Sequence, residues 1–261
     1  MQAHEYITNR LNELAQHKAQ FERAFYFLED DELFFIPEGE QWSAIECIEH
    51  INNVNEVYLP QLTQVCQLPE AKESDTIRMG WFTTKARVWM QPITNPKALK
   101  IPVPKKLKPR RLRNPDLKIA PQKVMENFIA DLSQIERLVR IIPHSQGLCD
   151  SQVTSALPPF KIKSITALEI IIPHIARHLA QAERILKGGK LAKDNAPANP
   201  DLIYPTREAE KKNRLKFGIK KPGAMRRVFW FFSSLYYSAL IQSLPPYCPL
   251  KPLFCACFAD S

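Results

Sequence analysis

Glycine is scarce in this chain, 7 residues in 261, and runs of alternating β-branched residues are few. Sandwiches and barrels need both, so a helical fold is expected. The six cysteines, at 47, 66, 149, 248, 255 and 257, form no Cys-x-x-Cys pair. Neither a zinc knuckle nor a disulfide framework is indicated, and they read as reduced thiols of a cytoplasmic protein. The opening stretch MQAHEYITNRLNEL is polar and amphipathic, which predicts no signal peptide. With 45% apolar and 24% charged residues, the composition suits a chain with a real core.

The net charge of +9 is unevenly spread. Arg78 to Lys118 carries 12 Lys/Arg against one Asp, and Lys187 to Arg227 carries 12 against four acids. The rest of the chain is therefore acidic, and the basic residues sit in two Pro-containing segments expected to be solvated loops. No nucleic-acid-binding motif accompanies them, so nucleic acid is not an expected partner.

Apolar residues recur at helical spacing in four places. Residues 3–28 carry Ile7, Leu11, Leu14, Phe21, Phe25 and Leu28 on one stripe. A second helix opens at Ser43, whose spacing to Glu46 matches a capping box, and runs to about Cys66, with Pro60 as a kink or early end. A third fits 121–142, with Pro121 in its first turn and Val124, Phe128, Leu132, Ile135, Leu138 and Val139 facing inward. The fourth fits 164–187, stopping at Gly188-Gly189. The expected fold is all-α, an up-down four-helix bundle over 1–190. A basic connector at 69–121 joins helices two and three; its front part, IRMGWFTTKARVWMQ, reads as a short helix or an irregular lid.

After the bundle come a basic linker at 191–227 and an aromatic, Cys-rich tail at 228–261. Its run VFWFFSSLYYSALIQSL (228–244) is short for a bilayer span. Three readings fit it: a membrane-associated helix, a helix docked on the bundle, or an aberrant tail.

His174 and His178 are four residues apart on the fourth helix. At about 100° per residue, with Ile175 at zero, they fall near −100° and −60°, flanking the apolar stripe. Arg177 falls near 200°, which places it toward solvent or a partner. On the second helix, with Ile51 at zero, His50 also falls near −100°. Facing flanks would bring three imidazoles together, a donor set suited to zinc, nickel or ferrous iron with coordination positions left open. The alternative is three polar residues that border a core. His4, His17 and His144 show no pattern and are expected at the surface, Glu49 and Glu169 are expected to be solvated, and Cys47 belongs to the core.

WSAIECIEHINNVNEVYL (42–59) and LPPFKIKSITALEIIIPHIARHLAQAERIL (157–186) together resemble the DinB/YfiT-like superfamily. There, Trp-Ser opens a helix bearing one ligand histidine, and a Pro-Phe loop precedes a helix with His-x-x-x-His followed by Gln. The resemblance implies a four-helix bundle, commonly dimeric, with His50, His174 and His178 as ligands of a divalent metal. Gln181 is then expected to orient a ligand through a hydrogen bond to its ring. It further implies a small-molecule substrate and transferase or hydrolase chemistry with water or a low-molecular-weight thiol. The competing reading is a non-catalytic helical module that associates with a membrane or a protein partner through its basic segments and aromatic tail.

Overall fold

The computed structural model describes residues 1–69, 72–114, 119–157 and 159–194, with side chains through residue 188. Met1–Ala196 forms one compact unit. The tail expected at 228–261, and the linker beyond residue 194, lie outside the described residues.

The unit is mostly helical. Four long helices carry it: α1 (Ala3–Phe25), α3 (Ala44–Val65), α6 (Pro121–Ile141) and α8 (Ser164–Asp194). Short helices α2 (Asp30–Phe34), α4 (Trp81–Met90), α5 (Arg110–Arg113) and α7 (Gln146–Asp150) lie between them. Strands β1 (Gln152–Thr154) and β2 (Lys161–Lys163) form a small antiparallel hairpin in which Val153 pairs with Ile162. Helix α3 packs on α8 and α6, α1 packs on α6 and α8, and α4 lies along α8. Among the described residues no helix is long and apolar enough to cross a membrane.

Helix α6 follows its sequence closely. Pro121 opens it, where a missing N–H costs nothing, and its six expected inward residues are all buried. Helix α3 opens as expected: the Glu46 carboxylate accepts from the Ser43 N–H at 2.9 Å. The helix continues through Pro60 to Val65. Proline deprives only the Glu56 carbonyl of its helical donor, and Tyr58, Leu59 and Leu62 beside it are buried against the neighbouring helices.

Four expectations are corrected. Helix α8 runs past Gly188-Gly189 to Asp194, because glycine weakens a helix without breaking it. The buried face of α1 is turned toward Tyr6, Arg10 and His17, leaving Ile7 and Leu11 at its edge. His17 is therefore buried, unlike His4 and His144, which are exposed. The connector is not merely a solvated loop: α4 covers the far side of α8 and buries Arg177. The Arg177 Nε donates to Gln91 O at 2.9 Å, its Nη1 to Leu99 O at 2.9 Å, and its Nη2 to Gln91 O and Trp89 O.

Glu169 is likewise buried completely rather than solvated. Its carboxylate accepts from the Tyr6 hydroxyl at 2.7 Å, from Arg10 Nε at 2.7 Å and Nη2 at 3.2 Å, and from Arg87 Nη1 at 3.1 Å. Arg87 also pairs with Glu13. A carboxylate removed from water needs such compensation, and two arginines from separate elements supply it. Part of the connector's basic charge thus neutralises buried acids.

Candidate metal centre

Helices α3 and α8 face each other, and their histidine flanks meet. The rings of His174 and His178, one turn apart on α8, have centroids 4.5 Å from each other. His50 of α3 comes within 5.1 Å of His174 and 4.6 Å of His178. One nitrogen from each ring lies within 4.8 Å of one from each of the others, and all three residues are buried.

The outer nitrogens of two rings are engaged. His50 Nδ1 lies 2.7 Å from the Leu107 carbonyl, to which it donates. His178 Nδ1 lies 3.0 Å from Gln181 Oε1. Carbonyl acceptors fix both rings in the Nδ1–H tautomer and leave each Nε2 lone pair free to bind a cation. His174 Nδ1 is buried and has no hydrogen-bond partner among the described residues. Such an orphan is costly unless something else satisfies it.

Burial holds all three imidazoles below the usual histidine range, His174 and His178 well below it. For His174 the neighbouring His178, His50 and Arg177 add to the effect. Protonating one ring would place a cation beside two others in a dry site, so the neutral forms prevail. Three neutral imidazoles with converging lone pairs repel one another slightly and gain from a shared Lewis acid.

A divalent ion fits this donor set. Metal–nitrogen bonds of about 2.0–2.1 Å place tetrahedral ligand nitrogens roughly 3.3 Å apart, so each ring would draw inward by less than about 1 Å. The nitrogen donors suit zinc, nickel and ferrous iron better than magnesium or calcium, which prefer oxygen.

Two parts of the site escape the wheel. Trp42, just before α3, stacks 5.8 Å from His178 and tilts against His50 at 4.9 Å. It closes one wall with an apolar ring. The other wall is the connector segment 105–113, a 3₁₀ turn at Lys105–Leu107 followed by α5. The Arg111 Nε donates to Glu46 Oε1 at 2.7 Å and Nη2 to Oε2 at 3.1 Å. The Arg110 N–H donates to Glu49 Oε2 at 3.0 Å, and its Nε pairs with Oε1 at 2.9 Å. Asn53 Nδ2 donates to Lys108 O at 3.2 Å. Glu49 is thus buried and paired, not solvated. Only the opening Trp-Ser and the density of arginines hinted at these walls, since a segment 57 residues downstream of His50 has no register on the helical wheel.

A separate cleft is lined by Glu13, His17, Arg87, Gln91 and Pro173, among others, and none of the three histidines borders it. Within it Arg87 is paired with Glu13. The histidine nitrogens gathered within 4.8 Å of one another lie apart from this concavity.

Comparison with known proteins agrees with the family resemblance. A family model described as the DinB superfamily matches residues 13–182. No curated protein and no solved structure matches the chain.

Proposed function

The chain belongs to the DinB superfamily, and from that premise we propose a metal-dependent enzyme in which His50, His174 and His178 hold one divalent ion. The observation that carries this reading is the convergence of three buried, neutral imidazoles from two helices, their nitrogens within 4.8 Å. Family membership and the histidine cluster fit a metal-dependent function. The ion, when bound, supplies Lewis acidity that brings the pKa of water or a thiol toward neutrality.

The chain's own residues then do the rest. Coordination would occupy the histidine lone pairs, so these residues would hold and orient an ion rather than act as general bases. Leu107 O and Gln181 fix two rings, and Trp42 keeps one wall dry. Glu46 and Glu49 are committed to arginines, so neither is assigned the role of base. We read α1, α3, α6 and α8 as the up-down four-helix bundle of a homodimer. The reaction class is transfer to, or hydrolysis of, a small molecule, with zinc, nickel or ferrous iron as the ion and a low-molecular-weight thiol or water as the activated group.

The alternative, a non-catalytic module held to a membrane or partner by its basic segments and its 228–244 run, loses part of its support. Arg87, Arg110 and Arg111 spend their charge on buried acids of the chain itself. Metal analysis of mildly purified protein beside His174→Ala tests the proposal. It expects near-stoichiometric divalent metal in the wild type and loss in the variant; wild-type protein without metal would overturn it.

A further inference from the structure

The segment 105–113 does more than wall off the histidines. Its Leu107 carbonyl is the only hydrogen-bond partner shown for the His50 ring among the described residues, at 2.7 Å. The segment is short and highly charged, with six cations in nine residues: Lys105, Lys106, Lys108, Arg110, Arg111 and Arg113. A basic strap beside a cation site is electrostatically unfavourable, since every one of these charges repels a divalent ion. Something must hold it there. Apart from the Gln41 carbonyl, which accepts from Arg111 Nη2 at 3.0 Å, the holding contacts come from the same helix that carries His50. Glu46, Glu49 and Asn53 bind Arg111, Arg110 and the Lys108 carbonyl, and they lie within four residues of His50 on either side.

We propose that this strap is an outer part of the metal site, and that Arg110 and Arg111, through Glu49 and Glu46, are positioning residues that keep the Leu107 carbonyl on His50 Nδ1. The inference rests on the metal reading above. When His50 Nε2 coordinates an ion, its ring becomes electron-poor and Nδ1–H becomes a stronger donor. The bond to Leu107 O therefore tightens on loading, and the strap closes more firmly. Linkage requires the converse: a strap detached from α3 weakens the metal.

The sign of the effect separates positioning from charge. Removing two arginines beside a cation site should strengthen metal binding if only Coulomb repulsion matters. Removing them should weaken it if they hold the carbonyl in place. The full chain is stripped with chelator and titrated with zinc chloride, as wild type, Arg110→Met/Arg111→Met, and Lys105→Met/Lys106→Met/Lys108→Met. The double variant is expected to bind zinc about 10–100-fold more weakly, the range for losing the groups that orient a ligand histidine. The triple lysine variant removes more charge but none of the holding side chains, and is expected to match or exceed the wild type.

Limited trypsin digestion of the unmutated chain reads the other direction and does not depend on a variant folding. Zinc is expected to slow cleavage between Lys106 and Leu107 and after Arg110 and Arg111 at least tenfold, relative to cleavage elsewhere in the chain. Zinc binding with unchanged cleavage, or with equal or tighter affinity in the double-arginine variant, overturns the strap's role and leaves the metal site standing. Failure of the wild type to bind zinc, nickel or ferrous iron overturns the metal site itself.

Discussion

The Arg87 guanidinium, carried by the connector helix α4, lies 3.1 Å from the carboxylate of Glu169, a fully buried side chain in the first half of α8. With Arg10 from α1 it makes Glu169 the point where three helices are tied by charge. Removing either arginine leaves the buried carboxylate with one cation where it had two, whereas removing Glu169 leaves both cations without it. Arg10→Met and Arg87→Met are each expected to lower stability by about 1.5–3 kcal/mol in urea denaturation, and Glu169→Ala by about 3–5 kcal/mol. A loss under about 1 kcal/mol for all three would mean that the network is not formed.

Arg177 supports the connector differently. Its planar guanidinium serves three backbone carbonyls, those of Trp89, Gln91 and Leu99. Lysine cannot reproduce that fork, so Arg177→Lys should behave nearly as badly as Arg177→Met. Both are expected to cost roughly 1–3 kcal/mol and to accelerate amide exchange at Leu99, whose N–H bonds to Trp89 O. Unchanged exchange there would show that the connector docks without it.

Asp131 of α6 gives a pH signature. Burial, with Glu56 nearby, raises its pKa from 3.8 to about 6, against the opposing hydrogen bond from Asn55. The folded chain therefore binds more protons than the unfolded chain between these values, and the group's contribution to stability falls as pH rises from about 4 to about 6. Asp131→Asn keeps an acceptor for Asn55 and removes the titration. It should flatten that part of the profile and raise stability at pH 7 by on the order of 1 kcal/mol. An identical pH slope in both proteins would refute the assignment.

Thiol chemistry should follow burial. Cys47 and Cys149 are fully buried, with Cys149 pushed up to about 12 by desolvation, whereas Cys66 is only partly covered. Peptide mapping after brief alkylation of the native chain is expected to find Cys66 modified well before the other two. Rapid labelling of Cys47 would contradict the packing of α3.

How much of this could be read from the chain depends on range. Helix α6 was legible because its six inward residues repeat at helical spacing and nothing polar interrupts them. The cluster was legible as a pattern because His174 and His178 share a helix face and His50 falls on the matching flank of α3. Arg177 and Glu169 were misplaced for a common reason, whereas Glu49 is hidden by the segment that carries Arg110 and His17 by the turn of the buried face of α1. A helical wheel assumes one buried face, whereas α8 is covered by α1 and α3 and again by α4. Charged residues on that second covered face are silent in sequence, because their partners lie about 80 to 160 residues away in α1 and the connector. The Leu107 carbonyl is a main-chain atom, and no residue type announces it.

The most direct test of the account is the metal content of the full chain, purified without chelators or added metal and measured by plasma mass spectrometry beside His50→Ala, His174→Ala and His178→Ala. The account predicts close to one zinc, nickel or iron per chain in the wild type and a loss of at least tenfold in each variant, with helix content retained. A wild-type chain without bound metal that also fails to take up any of the three ions on titration would contradict it.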